Sequence, residues 1–274
     1  MGNIEKNVIF AGVLGIKPVE DAKCIIKLSN LVFECSSDPY LEWTSIKTIF
    51  QEGDRNHLII GDVDYDFDKL IESAVKTMHN KEVSDFILKA SITLNQISHD
   101  ISVKVRIELI SLINMQYVHK LPYIHKAYIA RKHKDRGVDF FKKQEYLLAF
   151  KRFSKALKLL ISLGPYSDSG LNDADYKIVF DLKRDLYNNL ALCRQCMKSK
   201  NPEVNLQHIV YLCNKVLEID SNNIKALMRL AKAKTELRDF EEARDVVSKI
   251  LEIEPNYSSA KSEMIKLTTI IKEQ

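Results

Sequence analysis

The sequence predicts an α+β domain, in which one helix lies across an antiparallel sheet, followed by an all-α solenoid with a capping helix. Two observations predict this division. Residues 22–115 contain strand-like stretches around a single amphipathic helix, whereas residues 131–274 contain two helix-length patterns that recur in register. A chain of 274 residues is long enough for two ordinary domains, and Pro122 interrupts the stretch between them. We therefore predict domains at residues 1–120 and 121–274.

Four stretches of the first half have the composition of strands: Cys24–Cys35, His57–Val63, Ser84–Leu94 and Ile101–Ile113. The last one alternates, with Val103 and Val105 on one face and Lys104 and Arg106 on the other, which is typical of a half-buried strand. Between the second and third stretches, the segment Phe67–Met78 places its apolar residues on one helical stripe. These elements predict a curved antiparallel sheet with one helix against it.

The order of these elements resembles the FK506-binding-protein (FKBP) fold of peptidyl-prolyl isomerases. The resemblance covers residues 20–115 and is carried by Ile59-Ile60-Gly61, the helix through Met78 and the last alternating strand. In that family a Trp on this helix forms the floor of the catalytic pocket, and a Tyr-containing flap closes over it. Here Ile71 stands at the position of the floor, and the segment KASITLNQISHD at the position of the flap holds no aromatic residue.

Catalysis of prolyl isomerisation requires a trough that binds the twisted amide better than the planar one, so we predict an inactive isomerase domain without catalytic residues. An active isomerase with an unusual pocket is the alternative. Trp43, the only Trp, is interpreted as a packing residue rather than a relocated pocket residue. His57, His79 and His99 are scattered without a Cys or carboxylate at ligand spacing. We therefore expect surface or hydrogen-bonded histidines, with no metal and no cofactor.

Composition and charge argue against several classes of function. The 41 basic and 37 acidic residues nearly balance, which indicates no nucleic-acid partner, and the basic stretch Lys126–Lys143 is interpreted as a solvated helix face. No apolar run reaches the roughly 18 residues that cross a bilayer, and no signal peptide is recognisable, so we expect a cytoplasmic or nuclear protein without a membrane partner. Cysteines stay reduced in those compartments. Cys193 and Cys196 form a CxxC inside a predicted helix without a second pair, which favours core cysteines over a zinc or redox site.

The second half repeats one pattern of small, aromatic and apolar residues at fixed offsets. The first copy carries Gly137, Phe140, Ala149, Phe153 and Ala156. The second copy carries Ala231, Ala243, Val247, Ile250 and Pro255. These offsets resemble those of the tetratricopeptide (TPR) repeat, a helix–turn–helix unit with a period of roughly 34 residues.

A middle repeat fits between these two copies, from YNNLALC to CNKVLEIDSN. Its internal connection, Lys198–Gln207, is longer than the period allows, and the connection between the first and second repeats, Ser162–Val179, is extended. Three repeats are about the minimum that buries a continuous core. Ser258–Lys272 has roughly helical spacing of apolar residues and supplies a final helix that caps the open end.

The repeat segment resembles the C-terminal half of the large immunophilins and related Hsp90 co-chaperones. The repeats of those proteins bind the acidic C-terminal tail of the chaperone through a carboxylate clamp of five side chains. The resemblance places four of the five at residues of the expected type: Lys134, Asn189, Lys225 and Arg229. The fifth, which is Asn in the family, is Val138 here.

The resemblance implies a non-catalytic co-chaperone whose repeats bind Hsp90, or Hsp70, and whose first domain contacts a client protein. Helix geometry supports the convergence of these side chains. Lys225 and Arg229 are four residues apart and therefore share a helix face, and the first helix of each repeat lines the concave groove. A TPR scaffold that binds an unrelated peptide is a further alternative.

Overall fold

The structure of the protein is a computed structural model that describes residues 3–50, 57–94, 97–113, 121–163 and 172–273. The chain divides into two compact units, Met1–Leu121 and Pro122–Gln274. Three features of the sequence prediction lie partly outside the described residues: the segment at the flap position (at 95–96), the stretch between the two domains (at 114–120) and the connection between the first and second repeats (at 164–171). Within the described ranges, no helix is long and apolar enough to cross a bilayer.

Five strands form one antiparallel sheet within the described part of the first unit. They are β1 (Asn3–Phe10), β2 (Lys23–Cys35), β3 (His57–Ile59), β4 (Val83–Leu94) and β5 (Ile97–Ile113). Their order across the sheet is β1-β4-β5-β2-β3. Four of them fall on the predicted stretches, although β3 ends earlier than predicted. β1 is absent from the sequence prediction, and it forms because it pairs along its length with β4.

One face of the sheet packs against α1 (Asp66–Val75) and forms the core of the first unit. β5 alternates as predicted, since Val103 is fully buried and Lys104 is exposed. The helix ends at Val75, before the predicted end, yet Met78 is still fully buried in the same core. The predicted α+β architecture of an antiparallel sheet with a helix is confirmed.

A partly buried ion pair connects β1 to the residue that precedes β4. Lys6 Nζ lies 2.6 Å from Glu82 Oε1 and donates a hydrogen bond to the Thr77 carbonyl at 2.9 Å. The Glu82 carboxylate also accepts hydrogen bonds from the Ser84 hydroxyl and the His79 amide, at 2.6 and 2.7 Å. Burial by itself would raise the pKa of Glu82, but these hydrogen bonds and the charge of Lys6 hold its pKa below the ordinary value. The carboxylate is therefore ionised at neutral pH.

Helices make up the described part of the second unit. They are α2 (Tyr123–Lys142), α3 (Tyr146–Ile161), α4 (Asp173–Cys196), α5 (Pro202–Leu217), α6 (Ile224–Glu236), α7 (Phe240–Ile253) and α8 (Ser258–Glu273). Each helix packs mainly on its neighbours along the chain, which is the arrangement of a repeat solenoid. The predicted all-α repeat segment with a final helix is confirmed.

Two predicted connections are wrong in length. α5 begins at Pro202, so the second half of the predicted connection Lys198–Gln207 is helical. The helix begins there because the Asn201 side chain accepts a hydrogen bond from a first-turn amide and Pro occupies the first turn. Similarly, α4 begins at Asp173, so the end of the predicted connection Ser162–Val179 belongs to that helix.

The small residue of the first repeat lies where two helices touch. Gly137 of α2 faces the ring of Phe153 in α3, and a Cβ at position 137 would lie 2.6–3.0 Å from three ring atoms. Phe153 is 1% exposed, so the ring is surrounded by other core residues. The close approach of α2 and α3 therefore requires glycine at this position.

Candidate functional site

The predicted clamp residues line one cavity of the second unit. This cavity, called the main cavity below, has a volume of about 710 Å³ and receives residues from α2, α4 and α6. Its lining includes all four predicted side chains, Lys134, Asn189, Lys225 and Arg229. Val138, at the position where the family has Asn, lines it as well. The structure thus brings together residues that are far apart in the sequence.

Arg229 forms one wall of the main cavity. Its Nη1 donates hydrogen bonds to Asn188 Oδ1 at 3.0 Å and to the Lys225 carbonyl at 3.3 Å. Burial lowers the pKa of Arg229, although a guanidinium stays protonated at neutral pH. The wall therefore holds a partly desolvated positive charge whose hydrogen-bond partners are neutral oxygens.

Lys225 and Asn189 add further donors beside this guanidinium. In the part of the chain that the structure describes, no carboxylate lies within ion-pair distance of Lys225 or Arg229. The three side chains offer an ammonium, a guanidinium and an amide, and each of these groups donates hydrogen bonds to carboxylates. This corner of the cavity can accept an anion without breaking an internal ion pair.

Hydrogen bonds fix α4 against the start of α6. Asn188 Nδ2 donates to Asn223 Oδ1 at 3.4 Å, and Asn223 Oδ1 also accepts from the Ala226 amide at 3.1 Å, which caps α6. Asn223 Nδ2 donates to Asp220 Oδ2 at 2.9 Å. Because Asn188 is held in this way and accepts from Arg229, the guanidinium is oriented before any ligand arrives.

The other end of the main cavity is neutralised from within the chain. Lys134 Nζ lies 2.6 Å from Asp185 Oδ2, and Arg184 Nη2 lies 3.1 Å from Asp185 Oδ1. Burial would raise the pKa of Asp185, but the hydrogen bonds and charges of Lys134 and Arg184 outweigh it and lower that pKa. The sequence prediction missed Asp185, Arg184 and Asn188. Asp185 precedes Asn189 by four residues and so shares its face of α4, which is the signal that could have found it.

The residues considered for an isomerase pocket in the first unit contribute to its packing. Ile71, at the position of the family's pocket floor, is fully buried in the core. Trp43 belongs to a short 3-10 helix, Trp43–Ser45, and its ring meets that of Phe67 edge-on with the ring centroids 4.5 Å apart. The contact is an ordinary aromatic packing geometry, in agreement with the packing role expected for Trp43.

Three expectations about polar side chains fail at individual residues. The Nδ1 atoms of His79 and His99 are buried without a hydrogen-bond partner in the described structure, whereas surface or hydrogen-bonded rings were expected. Cys193 is buried as predicted, but Cys196 is exposed because it is the last residue of α4. Lys126 is buried rather than solvated, whereas Arg131, Lys132, Lys142 and Lys143 of the same stretch are exposed as expected. Among the described residues, no cluster of three or more His, Cys, Asp or Glu side chains could hold a metal ion.

Comparisons with known proteins find matches to both halves of the chain. A family model described as "BDBT FKBP like N-terminal" matches residues 1–112, and one described as "Tetratricopeptide repeat" matches residues 210–264. FK506-binding protein 59 of Drosophila melanogaster is 28% identical over 144 residues, which are 53% of this chain and 29% of that protein. Human peptidyl-prolyl cis-trans isomerase FKBP4 is 31% identical over 141 residues, which are 52% of this chain and 28% of that protein. The matched part therefore spans less than a third of the length of these curated relatives.

Solved structures are similar as well. The crystal structure of residues 1–211 of CG17282 aligns with 70% of this chain and 89% of that chain, with 20% sequence identity and a TM-score of 0.51, which shows a shared fold. The first TPR of Spaghetti (RPAP3), bound to an HSP90 peptide, aligns with 53% of this chain and 95% of that chain, with 22% sequence identity and a TM-score of 0.40. From the family and relative matches, the chain is homologous to the FKBP–TPR immunophilins, with an FKBP-like N-terminal domain followed by tetratricopeptide repeats.

Proposed function

We propose that the second unit binds the acidic C-terminal tail of Hsp90, or of Hsp70, and that the protein acts as a co-chaperone adaptor. The observation that carries this proposal is the partly buried Arg229 beside Lys225, on the wall of the main cavity, without a carboxylate partner among the described residues. A desolvated cation without a counter-ion gains strongly when an anion binds. A peptide that ends in Asp presents two carboxylates, one on its side chain and one at its terminus.

Recognition in this corner of the cavity is mostly electrostatic. Lys225, Arg229 and Asn189 donate hydrogen bonds to the same carboxylate region, and charge-assisted hydrogen bonds are roughly twice as strong as neutral ones. Arg229 is already held by Asn188, so little side-chain entropy is lost on binding. Val138 supplies no hydrogen bond, so the ligand contacts one amide fewer than in the family pattern. Affinity should fall as salt concentration rises.

A peptide ending in Glu-Glu-Val-Asp tests the proposal by isothermal titration calorimetry with the full chain. Lys225→Ala combined with Arg229→Ala should weaken binding by about 2–5 kcal/mol, because it removes the cations that pair with a partly desolvated carboxylate. Lys232→Ala is the matched control, since Lys232 lies on the same helix, is exposed and does not line the main cavity. Unchanged binding by the Lys225/Arg229 variant would show that the clamp assignment is wrong.

A second peptide separates this function from a TPR scaffold for an unrelated peptide. The same sequence with a C-terminal amide keeps every side chain but loses the terminal carboxylate. We expect its affinity to fall on the order of tenfold, since it can no longer form the charge-assisted hydrogen bonds of the terminus. Equal binding of the acid and the amide would favour the unrelated-peptide scaffold.

We further propose that the first unit does not catalyse prolyl isomerisation. Fully buried Ile71 takes the place of the Trp that forms the pocket floor in the FKBP family, and Trp43 is engaged in packing against Phe67. A site without an aromatic floor has little with which to bind the twisted amide more tightly than the planar one. In a protease-coupled assay with a proline peptide, the full chain should give only the uncatalysed rate. A clear rate increase would establish the active-isomerase alternative.

The first unit is the proposed contact with a client protein. It exposes a run of large apolar side chains, each between 48% and 81% exposed: Val8, Ile9, Phe10, Val13, Leu14 and Ile16. Exposed apolar patches of this kind mark interaction surfaces. Affinity capture should therefore compare the wild type with Leu14→Glu and with the Lys225/Arg229 variant. Partners lost only with Leu14→Glu are held by the first unit, and an identical set of partners for all three proteins would contradict the assignment.

A further inference from the structure

Lys134, one of the proposed clamp residues, is already paired with an acid of its own chain. Its Nζ lies 2.6 Å from Asp185 Oδ2, and Asp185 Oδ1 lies 3.1 Å from Arg184 Nη2. Arg184 Nη1 in turn lies 2.7 Å from Asp181 Oδ1. These four side chains, called the charge row below, contain two cations and two carboxylates. Their charges cancel, so the row has no net charge with which to attract a ligand.

The Lys134–Asp185 pair lies where two cavities meet. Both residues line the main cavity, and both also line a second cavity of about 350 Å³. The side chains of Lys134 and Asp185 are 23% and 39% exposed, so a ligand can reach them. Any ligand carboxylate that approaches Lys134 therefore also approaches the Asp185 carboxylate, and the two like charges repel.

We propose that Asp185 is a built-in competitor for Lys134, which weakens and restricts the binding of acidic peptides at this end of the groove. The inference rests on the proposed function, because it requires that the main cavity binds an acidic peptide. Asp185 takes the position on Lys134 that a ligand carboxylate would take. When a peptide binds, Lys134 turns towards it, and Asp185 keeps Arg184 as its counter-ion. The exchange is possible because Lys134 and Arg184 contact different oxygens of Asp185.

The two ends of the main cavity consequently make different contributions to recognition. At Lys225 and Arg229 an incoming carboxylate meets two cations, and the described residues place no acid within ion-pair distance of them. At Lys134 it meets a cation that is already neutralised, with Asp185 beside it. The Lys225 end therefore holds the carboxylate of the peptide. The Lys134 end discriminates against ligands that present a further acidic group to it.

Asp185→Asn tests the inference with the full chain and the peptide ending in Glu-Glu-Val-Asp. Asparagine keeps the size of the side chain and removes its charge. We expect a few-fold to about tenfold tighter binding, the size expected for one partly screened charge. Lys134→Ala in the Asp185→Asn background should abolish this gain, because the gain comes from the release of Lys134. Asp139→Asn is the matched control, since it changes the net charge equally, lies exposed on the helix of Lys134 and lines neither cavity.

The outcomes separate the inference from the proposed function. Tighter binding by Asp185→Asn that depends on Lys134 supports the inference. The inference is overturned if Asp185→Asn binds the peptide no more tightly than the wild type. It is also overturned if Asp139→Asn gives the same gain in affinity, or if the gain remains when Lys134 is replaced. The proposed function still stands in those cases if Lys225→Ala with Arg229→Ala weakens binding, and both ideas fail if neither the wild type nor Asp185→Asn binds the peptide. Helical circular dichroism checks that Asp185→Asn is folded. Asp185→Ser also removes the charge and should give the same gain in affinity, so it replaces the asparagine variant if that variant does not fold.

Discussion

Replacing Gly137 by Ala should destabilise the repeat unit, even though alanine is the better helix former. Gly137 lies inside α2, where alanine is more favourable than glycine by about 1 kcal/mol. This gain is opposed by a steric overlap between the new Cβ and the ring of Phe153. The new Cβ would lie 2.6, 2.8 and 3.0 Å from three ring atoms, whereas carbon atoms in contact prefer separations of about 3.5–4.0 Å.

The overlap cannot be relieved by a movement of the ring alone. Phe153 is 1% exposed, and a ring in a close-packed core has no empty space to enter. Forcing one extra carbon into a packed core costs about 1–3 kcal/mol. Three close ring contacts place Gly137→Ala in the upper part of that range, so the net destabilisation is about 1–2 kcal/mol. The midpoint of thermal unfolding should then fall by about 2–8 °C.

Two optical signals report the two units separately. Trp43 is the only Trp and belongs to the first unit, so its fluorescence follows the unfolding of the sheet. The described helices of the chain lie mostly in the second unit, so circular dichroism at the helical band follows the repeats. Gly137→Ala should lower the midpoint of the helical transition and leave the Trp43 transition in place.

A second substitution should reverse the effect of Gly137→Ala on stability. Phe153→Leu removes the ring atoms that the new Cβ would meet, at its own cost in stability. In that background Gly137→Ala should be neutral or stabilising by up to about 1 kcal/mol, because only the gain in helix propensity remains. If Gly137→Ala stabilised the repeats in the wild-type background, the ring overlap would not be the reason for glycine at this position.

Three further predictions concern buried polar groups and thiols. The pKa of Glu82 is lowered in the folded state, so its contribution to stability is present above about pH 4.3 and is lost as the pH falls through the folded pKa. The midpoint of the Trp43 unfolding transition should therefore fall in acid. It should fall less in the Glu82→Gln variant. The fully buried Asp68 carboxylate accepts hydrogen bonds from the Thr48 hydroxyl at 2.5 Å and from the Ile49 amide at 3.1 Å. Asp68→Ala should therefore lower the free energy of unfolding by about 1–3 kcal/mol for each donor left unsatisfied. Urea unfolding followed by Trp43 fluorescence measures this loss. Burial raises the pKa of the Cys24, Cys193 and Cys213 thiols to about 12. In the native protein a maleimide should therefore label only the partly or fully exposed thiols within minutes. Mass spectrometry should find Cys24, Cys193 and Cys213 unlabelled.

The elements that the sequence predicts are those whose own periodicity reflects burial. β5 alternates because one of its faces covers the core, and the last helix keeps an apolar stripe because it closes the repeats. β1 is different, because it is an edge strand whose stability depends on pairing with β4 and on the contact between Lys6 and Glu82. The residues of β1 alone indicate neither the pairing with β4 nor the contact with Glu82. The start of α5 depends on the Asn201 cap. The repeat period alone does not indicate this cap, so the predicted connection extended into the helix.

The convergence of the candidate site follows from helix register, which a sequence does contain. Lys225 and Arg229 share a helix face, and stacked repeats bring equivalent faces to one groove, so their meeting with Asn189 could be predicted. Their role in binding stays a prediction. The pairing of Lys134 with Asp185 could not be derived in the same way, because it depends on how side chains from α2 and α4 meet across the groove.

The internal pairing changes how the three clamp cations should be weighted. A sequence match treats Lys134, Lys225 and Arg229 as equivalent, but the electrostatic free energy of a bound carboxylate depends on every charge near it. Lys134 has Asp185 at 2.6 Å, whereas in the described residues Lys225 and Arg229 have no acid within ion-pair distance. Single alanine substitutions should therefore rank unequally in peptide affinity, with Lys134→Ala near twofold and Arg229→Ala on the order of tenfold or more. Equal losses at the two positions would mean that Asp185 releases Lys134 without a measurable penalty.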